Sequence, residues 1–83
     1  MISSFTADVI GIIGSVLFIG GFLYANVAQA LNKLLFNIIN LVGAILLLIS
    51  LSVNFNLAAV VLEIAWGIIA LFGIVSALVK KAQ

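Results

Sequence analysis

Few side chains in this chain of 83 residues can do acid–base or ligand chemistry, and they are widely separated. The acids are Asp8 and Glu63, the cations are Lys33, Lys80 and Lys81, and there is neither Cys nor His. The lack of Cys excludes disulfides, thiolate nucleophiles and thiolate metal sites. The lack of His removes the commonest general base and the commonest metal ligand. Two carboxyls so far apart in sequence make a poor hydrolytic or metal centre, so neither an enzymatic activity nor a cofactor is expected. A net charge of +1 offers no electrostatic footprint for nucleic acid.

Glu63 is the side chain most in need of explanation. It lies in a run, residues 57–79, that is otherwise almost wholly apolar and long enough to cross a bilayer. An acid within such a run costs roughly 2.5–3.5 kcal/mol on insertion scales, so something must compensate for it. It is about six residues into the run, or roughly 9 Å deep. Ser15 and Ser50 reach similar depths, and a neutral Glu63 is expected to hydrogen-bond to one of them or to a backbone carbonyl. A proton or cation site and a contact with a partner subunit are the competing roles. Ala59, Gly67, Ala70 and Ala77 fall on the Glu63 face of a helix and predict close packing there. Gly11, Gly14 and Ser15, followed by Gly20 and Gly21, predict the same for the first run.

The second set of polar groups consists of the amides Asn26, Gln29, Asn32, Asn37 and Asn40. Asn37 and Asn40 are three residues apart and share a helix face, as do Asn26 and Gln29. On adjacent antiparallel helices the two pairs are expected to face each other. They would then form inter-helix hydrogen bonds worth about 0.6 kcal/mol each, or a polar lining for a solute or water path.

The elements that must carry these residues follow from the solvent. Hydrophobic residues make up 67% of the chain and charged ones 6%. A soluble domain this small buries only about 60% of the surface its chain exposes, so a bilayer must cover the remainder. The expected fold is all-α: one domain, residues 1–83, forming an integral membrane bundle of three transmembrane helices at about residues 7–28, 34–52 and 57–79. Strands are excluded because open sheets leave backbone groups unsatisfied in lipid and three strands cannot close a barrel. Ser3, Ser4 and Thr6 offer N-cap hydroxyls for the first helix, Asp8 is expected in its first turn, and Asn56 is expected to cap the third. Residues 1–6 contain no Lys or Arg, which argues against a cleaved signal peptide. Lys33, Lys80 and Lys81 fall on one side, predicted cytoplasmic, with the N-terminus outside and the C-terminus inside. Tyr24 suits the inner interface. The expected setting is the bacterial inner membrane, with the lipid bilayer and a homo-oligomer or larger membrane complex as partners.

Three stretches carry a family resemblance: Asn37-Ile38-Ile39-Asn40-Leu41-Val42-Gly43-Ala44, Asn54-Phe55-Asn56-Leu57 and Glu63-Ile64-Ala65-Trp66. With them the chain resembles a small bacterial family of uncharacterised three-helix membrane proteins. The resemblance implies the fold, marks Asn40, Glu63 and Trp66, and implies no activity. In architecture the chain also resembles the half-SWEET (PQ-loop) sugar transporters, which work as dimers. Where that family ends its first helix in Pro-Gln, Tyr24-Ala25-Asn26-Val27-Ala28-Gln29 has the Gln and no Pro. Three functions are therefore expected in turn: an accessory or structural membrane subunit, a dimeric half-transporter with proton coupling at Glu63, and a holin-like permeabilising protein.

Overall fold

Helix propensity here is set by the surroundings, since a backbone in lipid must satisfy its own hydrogen bonds. The computed structural model describes residues 2–82, with side chains as far as Lys80. Three helices follow one another, α1 (Ser4–Val27), α2 (Lys33–Leu51) and α3 (Leu57–Ala82). No strand occurs among the described residues. All three helices are long and apolar enough to cross a membrane. The long axis of the molecule is 44 Å, close to the thickness of a bilayer with its interfacial regions.

The helix starts are fixed by side-chain caps. Ser3 Oγ accepts from the Thr6 N–H at 3.1 Å, so α1 begins at Ser4, earlier than expected. That shift corrects the reading of Asp8. It falls beyond the first turn and does not complement the helix dipole there. Its carboxylate instead accepts from Asn54 Nδ2 at 3.1 Å, tying the start of α1 to the connection between α2 and α3. Asn56 caps α3 as expected, its Oδ1 accepting from the Ala59 N–H at 3.1 Å. Asn32 has a role the sequence did not suggest. Its Oδ1 accepts from the Leu35 N–H at 3.1 Å, and its own N–H donates to the Tyr24 hydroxyl at 2.8 Å. One residue thus starts α2 and ties the loop back to α1. Asn32→Ala is expected to lower stability by about 1 kcal/mol, the usual worth of an N-cap. Asn32→Asp, which keeps the acceptor, should hold most of it. Denaturant titration in detergent micelles is the check, and equal losses in both variants would refute the capping role.

α2 is the centre of the molecule. It packs against α1 on one side and α3 on the other, and no Cα of α1 comes within 8 Å of a Cα of α3. The contacts are made by small residues. A Cβ placed on Gly14 would stand 3.0 Å from the Gly43 carbonyl oxygen, and one on Gly43 would stand 3.2 Å from the Gly14 carbonyl. The two backbones therefore meet glycine against glycine. Gly11 lies against the Ser50 hydroxyl, Gly21 against Asn40, and Gly67 against the methyl of Ala44. Among the described residues the buried apolar side chains are Ala7, Ala44 and Ala70, and no large side chain is fully buried. This is the economy of a membrane bundle: lipid is as apolar as leucine, so close backbone approach holds helices together where burial of bulk does not.

Candidate functional site

Small residues on α2 decide where the large ones go. Gly43 leaves its face bare, and the Phe18 ring of α1 occupies that space, with Cδ1 2.8 Å from where a Cβ would be. From there Phe18 reaches across α2 to Trp66 of α3. The ring centroids are 5.9 Å apart and the planes inclined at 51°, within the range of favourable aromatic pairs. This pair bridges two helices whose backbones do not meet.

On the side of that bridge toward the α1–α2 connection, α1 and α3 stand apart and leave a groove over α2. Phe22 and Ala25 line it from α1, Trp66 and Ile69 from α3, and Phe36 and the amides of Asn37 and Asn40 from α2. Its volume is about 410 Å³. Asn37 and Asn40 are each only 7% exposed. Asn37 donates from Nδ2 to the Lys33 carbonyl at 2.8 Å, back along its own helix. Its amide also fills the space above Gly73, where any Cβ would overlap it. Asn40 Oδ1 lies 3.4 Å from where a Gly21 Cβ would be. Among the described residues the Asn40 amide makes no hydrogen bond.

The expected four-amide set is therefore split. Asn37 and Asn40 line the groove together. Asn26 is exposed and donates to the Phe22 carbonyl at 2.8 Å, within its own helix. Gln29 is exposed in the connection beyond the end of α1. The physical reason is local: a carboxamide near a helix end can satisfy itself on the carbonyl one turn back, and α1 ends before Gln29 can share a face with Asn26.

Glu63 lies roughly two turns of α3 away from the amides. It is 8% exposed and on the face that packs on α2. The antiparallel register, with Gly73 beside Asn37 and Gly67 beside Ala44, puts it level with Leu47 and Leu48. Its Oε1 is buried without a hydrogen-bond partner. The expected hydroxyl partners are occupied elsewhere: Ser15 Oγ donates to the Gly11 carbonyl at 2.9 Å, and Ser50 Oγ packs on Gly11. Of the small residues on its face, Ala70 is buried while Ala59, Gly67 and Ala77 are half-buried. In α1, Gly11, Gly14 and Gly21 pack on α2, but Gly20 is exposed with nothing within 4 Å.

Lys33 and Lys80 line one surface pocket, so they share an end of the molecule, and Asp8 and Asn54 meet at the other. The side chain of Lys81 lies outside the described residues. Gly43 and Gly73 were not singled out in the sequence, although Gly43 follows Asn40 at helical spacing and Gly73 follows Ala70 in the same way. The aromatic walls of the groove were missed because nothing distinguishes a groove-lining Phe from a lipid-facing one in an apolar helix.

Fold and site together define a small integral membrane protein of three helices, with an intramembrane groove floored by amides. A model of a family of uncharacterised proteins matches residues 7–81, and the chain belongs to that family. No curated protein and no solved structure matches it, so the architectural likeness to half-SWEET transporters gains no support.

Proposed function

We propose that the protein is a non-enzymatic subunit of a membrane assembly, formed with further copies of itself or within a larger membrane complex. The supporting observation is that the chain encloses nothing by itself. Its helices lie side by side on α2, with α1 and α3 out of backbone reach, and the groove between them lacks a closing wall. The unpartnered carboxyl of Glu63 adds to this, since a buried polar group without a partner costs about 1–3 kcal/mol and calls for a compensating role. The bacterial inner membrane is the proposed location, with the N-terminus outside and the C-terminus inside. The shared end of Lys33 and Lys80 supports that orientation under the positive-inside rule. A reporter fused at Gln83 should read as cytoplasmic.

The assembly is tested by extracting the protein with its lipids in polymer nanodiscs and measuring particle mass. The expected result is a homo-oligomer or a stoichiometric complex. A population that is monomeric at native expression level removes the proposal. A second reading, a dimeric half-transporter for a small solute, is favoured by the side-by-side placing of Asn37 and Asn40 on the groove floor. It requires a homodimer, and coupling at Glu63 would make Glu63→Gln lose proton flux. Wild-type flux in that variant rejects coupling.

A further inference from the structure

The groove beside the Phe18–Trp66 bridge combines features that lipid alone does not satisfy. Its walls are aromatic, from Phe22, Phe36 and Trp66, and its floor carries the amide of Asn40, a residue only 7% exposed that makes no side-chain hydrogen bond among the described residues. Asn40 is about 10 Å along α2 from Lys33, well inside the hydrocarbon layer. A phospholipid headgroup does not reach that depth. A hydrocarbon tail does, but it leaves both the donor and the acceptor of the amide unpaired. The volume, about 410 Å³, is in the range of small-molecule sites, which are mostly apolar with a few placed polar groups.

We infer that the groove binds a lipid-soluble molecule whose flat ring carries a carbonyl or hydroxyl group, of the chemical class of the quinones. The ring lies against the aromatic walls, which favour offset or edge-to-face contact. A ring carbonyl accepts from Asn40 Nδ2, and a ring hydroxyl donates to Oδ1, so one amide serves the oxidised and reduced forms of such a ring alike. The Oδ1 of Asn37, whose Nδ2 is engaged with the Lys33 carbonyl, is a second acceptor on the same floor. The apolar tail of the ligand leaves through the open side of the groove into the bilayer. The inference concerns binding only.

Trp66 is the only tryptophan in the chain and lines the groove, so it reports occupancy directly. The full-length protein in lipid nanodiscs is titrated with decylubiquinone while Trp66 fluorescence is followed. Quinone that merely partitions into the bilayer quenches in proportion to its concentration there, whereas quinone in a site quenches to saturation. A saturable component is expected. Asn40→Leu should weaken it about tenfold, the factor for one lost hydrogen bond. Ala25→Phe, which fills the groove and leaves Asn40 in place, should abolish it. Circular dichroism and the Trp66 emission maximum establish that each variant is folded, and if Asn40→Leu is not, Ala25→Phe decides. Proportional quenching alone in the wild-type chain overturns the inference. So does saturable quenching that is unchanged in a folded Ala25→Phe variant.

Discussion

Gly14→Val is expected to separate α1 from α2 and to cost on the order of 3 kcal/mol or more. The reason is the reciprocal approach of two backbones. The Gly43 carbonyl oxygen and the Leu47 side chain each stand 3.0 Å from where a Gly14 Cβ would be, and Leu46 is 3.2 Å away. A carbonyl of a helix backbone cannot turn aside as a flexible side chain can, so α1 must move as a body. Overpacking of this kind typically costs about 1–3 kcal/mol in cores, and the branched Val exceeds the single Cβ that already collides. Gly20→Val is the matched control. It makes the same chemical change in the same helix, where nothing lies within 4 Å, and should change stability by less than about 0.5 kcal/mol. Unfolding in mixed micelles with rising sodium dodecyl sulfate measures both. Equal losses would mean that helix propensity, rather than backbone approach, governs the α1–α2 contact.

Glu63→Leu is expected to do the reverse and stabilise the fold by about 1–3 kcal/mol. Leu is close in volume to Glu and suits a position level with Leu47 and Leu48. The substitution also removes an oxygen that is buried without a partner. Glu63→Gln keeps a polar head and should recover little of that gain. The same micelle titration separates the two. A Glu63→Leu variant less stable than wild type would show that the carboxyl holds the fold together. A more stable one would show that folding does not need the carboxyl, and it would turn the question to activity or to a contact with a partner chain.

Much of the fold was legible because hydropathy reports the solvent. The apolar runs gave α1, α2 and α3 to within a few residues, and Asn56 read correctly as the cap of α3. The face of α3 that packs was legible too, since Ala59, Glu63, Gly67 and Ala70 recur at helical spacing. What the sequence could not show was which helix lies in the middle. In water the inward face of a helix is apolar and the outward face polar, but in lipid both are apolar, and the stripe that would locate neighbours is lost. Gly14 and Gly20 look alike in sequence, yet one meets a backbone and the other meets nothing. The same loss of contrast hid Phe22 and Phe36 as walls of the groove. Asp8 was misread for a different reason: the cap at Ser3 moved the start of α1, and a shift of a few residues is enough to leave the dipole's reach.

The central position of α2 also sets the order in which the molecule can come together and the way it can come apart. Every backbone contact between helices joins neighbours along the chain, so α1 and α2 can dock as a hairpin before α3 leaves the ribosome. α3 meets the rest of the bundle through α2 and through the Phe18–Trp66 contact, and residues 52–56 connect it to α2. Separating α3 from α2 would break the Phe18–Trp66 contact and uncover Glu63 together. The seam between α2 and α3 thus covers the one buried acid of the chain.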